Sequence, residues 1–137
     1  MLIQPYVFFD GRCDEAIAFY TAALGAKVEM LLRFKDGPTP SDPNTIKPEM
    51  AEKVMHSSLR IGDSIILASD GQCIGKPEFE GFSLSLEVPD KAEADRVFNA
   101  LADGGQVQMP LGETFFSPQF GMVKDRFGVV WMVIVPK

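Results

Sequence analysis

The sequence predicts an α+β protein of two tandem βαβββ modules, whose curved mixed β-sheet forms a cup with the helices outside it. Three observations predict this. The stretch "FYTAALGAKVEM" at 19–30 returns as "FNALADGGQVQM" at 98–109, with Phe19, Ala23, Gly25, Val28 and Met30 matching Phe98, Ala102, Gly104, Val107 and Met109 without a gap. Each copy sits between one β-rich run and three more. Neither half has apolar surface enough to bury a sheet alone, so the halves are expected to share a core. The expected organisation is a single domain, 1–137, with modules at about 1–70 and 80–137 and a linker at 71–79.

The elements follow in order. "YVFFDG" (6–11) reads as a strand ending in a turn. In "CDEAIAFYTAAL", Ala16, Phe19, Tyr20, Ala23 and Leu24 recur at helical spacing, with Asp14 as the expected N-cap and Gly25 as the stop. Strands follow at "KVEMLLRF" (27–34), "KVMHSSLRIG" (53–62) and "SIILAS" (64–69), the last two joined by "IGDS". The second module repeats the order. "SLSLEVPD" (83–90) is its first strand, and Ala94, Val97, Phe98, Leu101 and Ala102 form a helical stripe stopped by Gly104. "QVQMPL" (106–111), "GMVKD" (121–125) and "VVWMVIV" (129–135) are its remaining strands.

Two insertions break the symmetry. Residues 35–53 contain four prolines and no apolar period, and read as a surface insertion or as a lid over the pocket mouth near His56. "GETFFSPQFG" (112–121) places Phe115, Phe116 and Phe120 in an irregular segment, as pocket wall or as a plug for the sheet end.

Bulk properties exclude several classes. A net charge of −6, with scattered Lys and Arg, argues against a nucleic-acid surface. The longest apolar runs are strand-length, so no membrane span is expected, and "MLIQPYVFF" lacks the features of a signal peptide. Cys13 and Cys73, the only two cysteines, read as reduced thiols in a cytoplasmic protein.

The segments "PYVFFDGRCDEAIAFY", "HSSLRIGDSIILASD", "GFSLSLEV" and "GETFFSPQFGMVKDRFGVVWMV", in this order and spacing, resemble the PhnB-like branch of the vicinal oxygen chelate superfamily, which includes glyoxalase I, ring-cleaving dioxygenases and bleomycin-resistance proteins. The branch has been labelled a 3-demethylubiquinone methyltransferase, yet no Gly-rich loop after a strand or acidic ribose clamp supports that activity here. The resemblance implies a metal held in the cup by residues of the first and last strand of each module. Here Gln4 and Ser83 fall at the first-strand positions. The last strand of the first module offers Ile65, Ile66 and Leu67, and the Glu position of the second falls on Met132. A thioether is a poor ligand for a hard divalent ion, so no metal ligands and no cofactor are assigned; a divalent metal is the disfavoured alternative.

Strand alternation puts Val7 and Phe9 under the helices, and Gln4, Tyr6 and Phe8 in the cup, matching Ser83, Ser85 and Glu87. His56, the only histidine, shares a strand face with Ser58 and Arg60, opposite Met55, Ser57, Leu59 and Ile61. It reads as a general base or a ligand-orienting group, or as a half-exposed histidine bonded to a neighbour. Glu113, beside aromatic residues, reads as an acid or base, or as a turn cap. Asp70 in "ASDG" is first a turn signal, and Trp131 is core or dimer packing. Cys13 lies at a helix entry with only Arg12 as a basic neighbour and reads as inert.

The function these residues indicate is binding of a small molecule in the cup, with His56 and Glu113 as catalytic candidates and Tyr6, Phe8, Ser58, Arg60, Phe115 and Phe116 lining the site. One alternative is a metal-dependent lyase, isomerase or dioxygenase using Gln4, His56 and Glu113. Another is a drug-sequestering protein of the bleomycin-resistance kind, whose acidic surface suits cationic guests. A homodimer is expected, because superfamily members pair or swap modules and an open sheet edge needs cover.

Overall fold

The computed structural model describes residues 1–37, 48–71 and 76–137. The chain forms two compact units, 1–77 and 78–137. The first contains β1 (Tyr6–Phe8), α1 (Cys13–Leu24), β2 (Lys27–Arg33), β3 (Val54–Ile61) and β4 (Ser64–Ser69), in the sheet order β1-β4-β3-β2. The second contains β5 (Leu84–Glu87), α2 (Lys91–Ala102), β6 (Gln106–Gly112), β7 (Gln119–Lys124) and β8 (Val130–Val135), in the order β5-β8-β7-β6. In each sheet the first strand lies parallel to the fourth, and the other pairs are antiparallel. Both four-stranded sheets are open and mixed, and the α+β class with two βαβββ copies is the one that the repeat predicts.

The duplication reaches into irregular geometry. The β2–β3 register slips between Val28 and Met30, and the β6–β7 register slips between Val107 and Met109. These are matched positions of the repeat. Such a bulge lets the bulged strand shift a side chain to the other face.

Each sheet buries one face under its own helix. Ala16, Tyr20 and Ala23 of α1 are buried, as are Val7, Phe9, Leu59 and Ala68 of the first unit. In the second, α2 packs on β7 and β8, burying Ala94, Val97, Phe98 and Leu101 of the helix and Val123, Trp131 and Val133 of the sheet. Gly121 permits that approach: a Cβ there would lie 2.8 Å from Phe98 Cε2 and 3.0 Å from the Met109 carbonyl oxygen. Gly25 ends α1 at φ 68°, a left-handed conformation that glycine adopts without steric cost.

Three local expectations are corrected. Asp14 does not cap α1: Arg12 occupies the N-cap position without a side-chain cap bond, and Asp14 instead binds Arg33 through Nη1 at 2.8 Å and Nη2 at 3.0 Å. The cap comes from the residue after β4, the strand paired with β1. Asp70 Oδ1 accepts from the Gly11 and Cys13 amides, and its Oδ2 accepts from the Val54 amide, each at 2.8 Å. Thus Asp70 is more than a turn residue; it is 1% exposed and ties the helix entry to the start of β3. Third, Phe120 belongs to strand β7, which starts at Gln119, and is buried.

Short 3₁₀ turns occupy Phe34–Asp36 and Pro48–Met50. The lid expected at 35–53 falls mostly on 38–47, outside the described residues, as does Cys73. Among the described residues, no helix is long and apolar enough to cross a membrane.

Removing the Asp70 carboxylate leaves three inward-facing backbone donors without their acceptor, and a buried unsatisfied donor costs about 1–3 kcal/mol. Asp70→Ala should therefore lower unfolding free energy by roughly 3 kcal/mol or more in urea denaturation. Asp70→Asn, which keeps one acceptor oxygen, should fall between the two.

Candidate functional site

The open face of the first sheet brings together most of the predicted site. Tyr6 is opposite Leu67 on β4, Leu67 is opposite Ser58 on β3, and Ser58 is opposite Met30 on β2. His56 stands two residues from Ser58 and opposite Leu32. Val7, Ser57, Leu59 and Ala68, of the other parity, are buried, which leaves this row facing away from the core.

Tyr6 and His56, which sequence reasoning named separately, are a pair. Tyr6 Oη lies 2.9 Å from His56 Nδ1, with ring centroids 5.5 Å apart. Phe8 extends the cluster, its ring 4.9 Å from that of Tyr6. Tyr6 and Phe8 are 38% and 51% exposed, so the cluster is presented and not buried. The contact engages Nδ1, so the second ring nitrogen is Nε2. Nε2 carries the proton when Tyr6 donates to Nδ1, and it accepts when Nδ1 donates to Tyr6. Either way, a phenol and an imidazole are held in one orientation beside an aromatic wall.

Ser58 is half-buried in the same row. Arg60 is engaged elsewhere: its Nε binds Glu29 of β2, and that hydrogen bond, with the Glu29 charge, pushes the guanidinium pKa up. It is an ion-pair partner on the exposed surface, with its Nε engaged by Glu29. Ser57, behind the row, donates to the Ala68 carbonyl at 2.7 Å.

Glu113, Phe115 and Phe116 belong to the second unit. Phe115 is 88% exposed. Its ring stacks edge-on against Phe116 at 5.3 Å, and Phe116 stacks likewise against Phe120 at 5.1 Å. Thr114 and Ser117 hold this turn. Thr114 Oγ1 accepts from the Ser117 amide at 3.0 Å, and Ser117 Oγ donates to the Val135 carbonyl at 2.7 Å. Lys137 Nζ donates to the Phe115 carbonyl at 3.0 Å. Glu113 itself is exposed; the turn-capping role considered for it falls to Thr114. Neither Thr114 nor Ser117 was singled out from the sequence, although a Thr three residues before a Ser in an irregular segment is a turn signal.

The superfamily's metal would need hard donors at the strand positions that line the sheet. The first-strand and last-strand positions present Gln4, Ser83, aliphatic side chains and Met132. No group of three or more His, Cys, Asp or Glu side chains is placed to hold an ion among the described residues. This donor set does not fit a hard divalent metal.

The comparisons accord with this architecture. The family model described as 3-demethylubiquinone-9 3-methyltransferase matches residues 2–134. The chain belongs to that family. Protein YjdN of Escherichia coli K12 is 36% identical, over 100% of this chain and 97% of YjdN. The crystal structure of PA1353 from Pseudomonas aeruginosa is 45% identical at TM-score 0.84, covering 99% of this chain and 98% of PA1353. The PhnB protein from Bacillus cereus, 24% identical at TM-score 0.78 over 98% and 99% of the two chains, shares the fold. Two members of the glyoxalase/bleomycin resistance protein/dioxygenase family, from Frankia and Burkholderia phytofirmans, and the fosfomycin resistance protein of Listeria monocytogenes share it too, at 11% to 16% identity. The chain is thus a PhnB-like member of the family with the glyoxalase-type fold.

Cys13 is fully buried, and burial, reinforced by the Asp70 charge, pushes its thiol up to about 12. The helix entry therefore does not activate it. Iodoacetamide at pH 8 should leave Cys13 unmodified in the folded protein and label it fully in urea, as read by peptide mass mapping. A thiol whose pKa is raised on folding favours the folded state below its unfolded pKa, and that contribution is lost as pH climbs toward about 12.

Proposed function

We propose that this family member binds a small molecule on the open face of the first sheet, with the Tyr6–His56 pair as polar anchor and Phe8, Leu32 and Met30 as apolar surface. The observation that supports this most directly is the 2.9 Å Tyr6–His56 contact on a half-exposed face. A phenol and an imidazole that were only packing groups would be better buried or separately solvated. Here they orient each other beside a 51% exposed phenylalanine. Nε2 and the Tyr6 hydroxyl suit an oxygen-bearing ligand with an apolar or aromatic body. Ser58 offers a further hydroxyl, and His56 is the group placed to exchange a proton with such a ligand.

Glu113, Phe115 and Phe116 remain part of the proposal as a second contact region. An exposed carboxylate beside exposed aromatic faces suits the cationic guest of a sequestering protein.

A fragment library screened by amide-resolved NMR tests the main reading. Fragments carrying a carbonyl or carboxylate on an aromatic ring should perturb Tyr6, Phe8, His56 and Ser58 together. His56→Ala should weaken the best of them tenfold or more, about 1.4 kcal/mol. Perturbations scattered away from β1 and β3, or affinity unchanged in His56→Ala, would overturn the assignment.

We also propose a cytoplasmic homodimer. The buried free thiol of Cys13 accords with a reducing compartment, and β2 ends the first sheet with Val28, Met30 and Leu32 exposed. A second copy would cover that edge. Light scattering should give twice the chain mass, and Met30→Lys should shift it toward the monomer.

A further inference from the structure

The second sheet carries a feature that the first lacks. Met109 on β6 is directly opposite Met122 on β7, and Met122 is directly opposite Met132 on β8. Ser85 on β5 completes the row. Three methionines thus stand side by side on three adjacent strands. Their face is the open one: Val123, Trp131 and Val133, of the other parity, are buried, while Met122 and Met132 are half-buried and Met109 is exposed. The bulge between Val107 and Met109 makes the alignment, because it sets Met109 opposite Met122.

The duplicated fold supplies an internal comparison. The matching row of the first sheet reads Met30, Ser58, Leu67 and Tyr6, with one thioether. The scaffold and its bulge therefore do not demand three methionines. Directly opposed residues on antiparallel strands have Cβ atoms about 5 Å apart. An unbranched side chain with three rotatable bonds easily closes that gap, so three sulfurs can converge over the central strand. The rows on either side carry one acidic and one basic residue, Glu87 and Lys124, so the methionine row itself holds no charge.

We propose that Met109, Met122 and Met132 form a binding site for a soft monovalent metal ion of the Cu(I) class. Thioethers are neutral, polarisable donors that select such ions over hard divalent ones. The site lies within the second unit.

Silver(I), a redox-inert stand-in, tests it. The full chain in a Cys13→Ala/Cys73→Ser background, in chloride-free buffer, should take up one silver ion by native mass spectrometry. The methyl resonances of Met109, Met122 and Met132 should shift together, while those of Met30 and Met55 stay. Met122→Leu, which conserves volume, should weaken binding tenfold or more with an unchanged melting temperature. Met109→Leu provides a second variant should the first unfold. No uptake in the cysteine-free background would overturn the proposal. So would methyl shifts elsewhere, or retained affinity in both leucine variants.

Discussion

One buried carboxylate organises the first unit. Asp70 follows β4 and is almost fully buried, and its two oxygens take amides from the turn before α1, from the first residue of α1 and from the first residue of β3. An isolated buried carboxylate would be costly, but charge-assisted bonds to backbone donors offset the desolvation and leave no donor unmet. The position of α1 on the sheet and the starting point of β3 are consequently the same constraint. Tyr6 and Phe8 lie on the strand that pairs with β4, and His56 lies two residues after Val54, so the geometry of the Tyr6–His56 pair rests on it.

The second unit solves the same problem with different residues. Its helix is capped locally, Asp90 accepting from the Glu93 amide at 2.8 Å. Its buried carboxylate is Asp125, which accepts from the Phe127 and Val129 amides and from Trp131 Nε1 at 2.9 Å to 3.0 Å. It thereby closes the β7–β8 turn and orients the one tryptophan. The two copies kept strand order, helix placement and bulge, and diverged in their polar interior. Their open faces diverged as well, one toward a phenol–imidazole pair and the other toward thioethers.

That divergence bears on function within the family. A fold shared across the glyoxalase/bleomycin resistance protein/dioxygenase family specifies no reaction, because function resides in particular side chains and not in the fold. Here those side chains are aromatic, hydroxylic and sulfur-bearing.

The elements, their order and their buried faces were legible in the chain, because period-2 and period-3.6 apolar patterns with glycine stops are local signals that burial then enforces. "KVMHSSLRI" already separates His56 and Ser58 from Ser57 and Leu59. The superfamily resemblance was equally legible. Asp70 was not, since an Asp before Gly is read as a turn whether it faces water or the interior, and its three donors come from segments up to 59 residues away. Nor could sequence show that Tyr6 meets His56, 50 residues on, or that Arg60 is taken by Glu29, or that three methionines from separate strands share a row. Pattern along a chain determines which face a side chain occupies; only the register of strands brought together by folding determines its neighbour there.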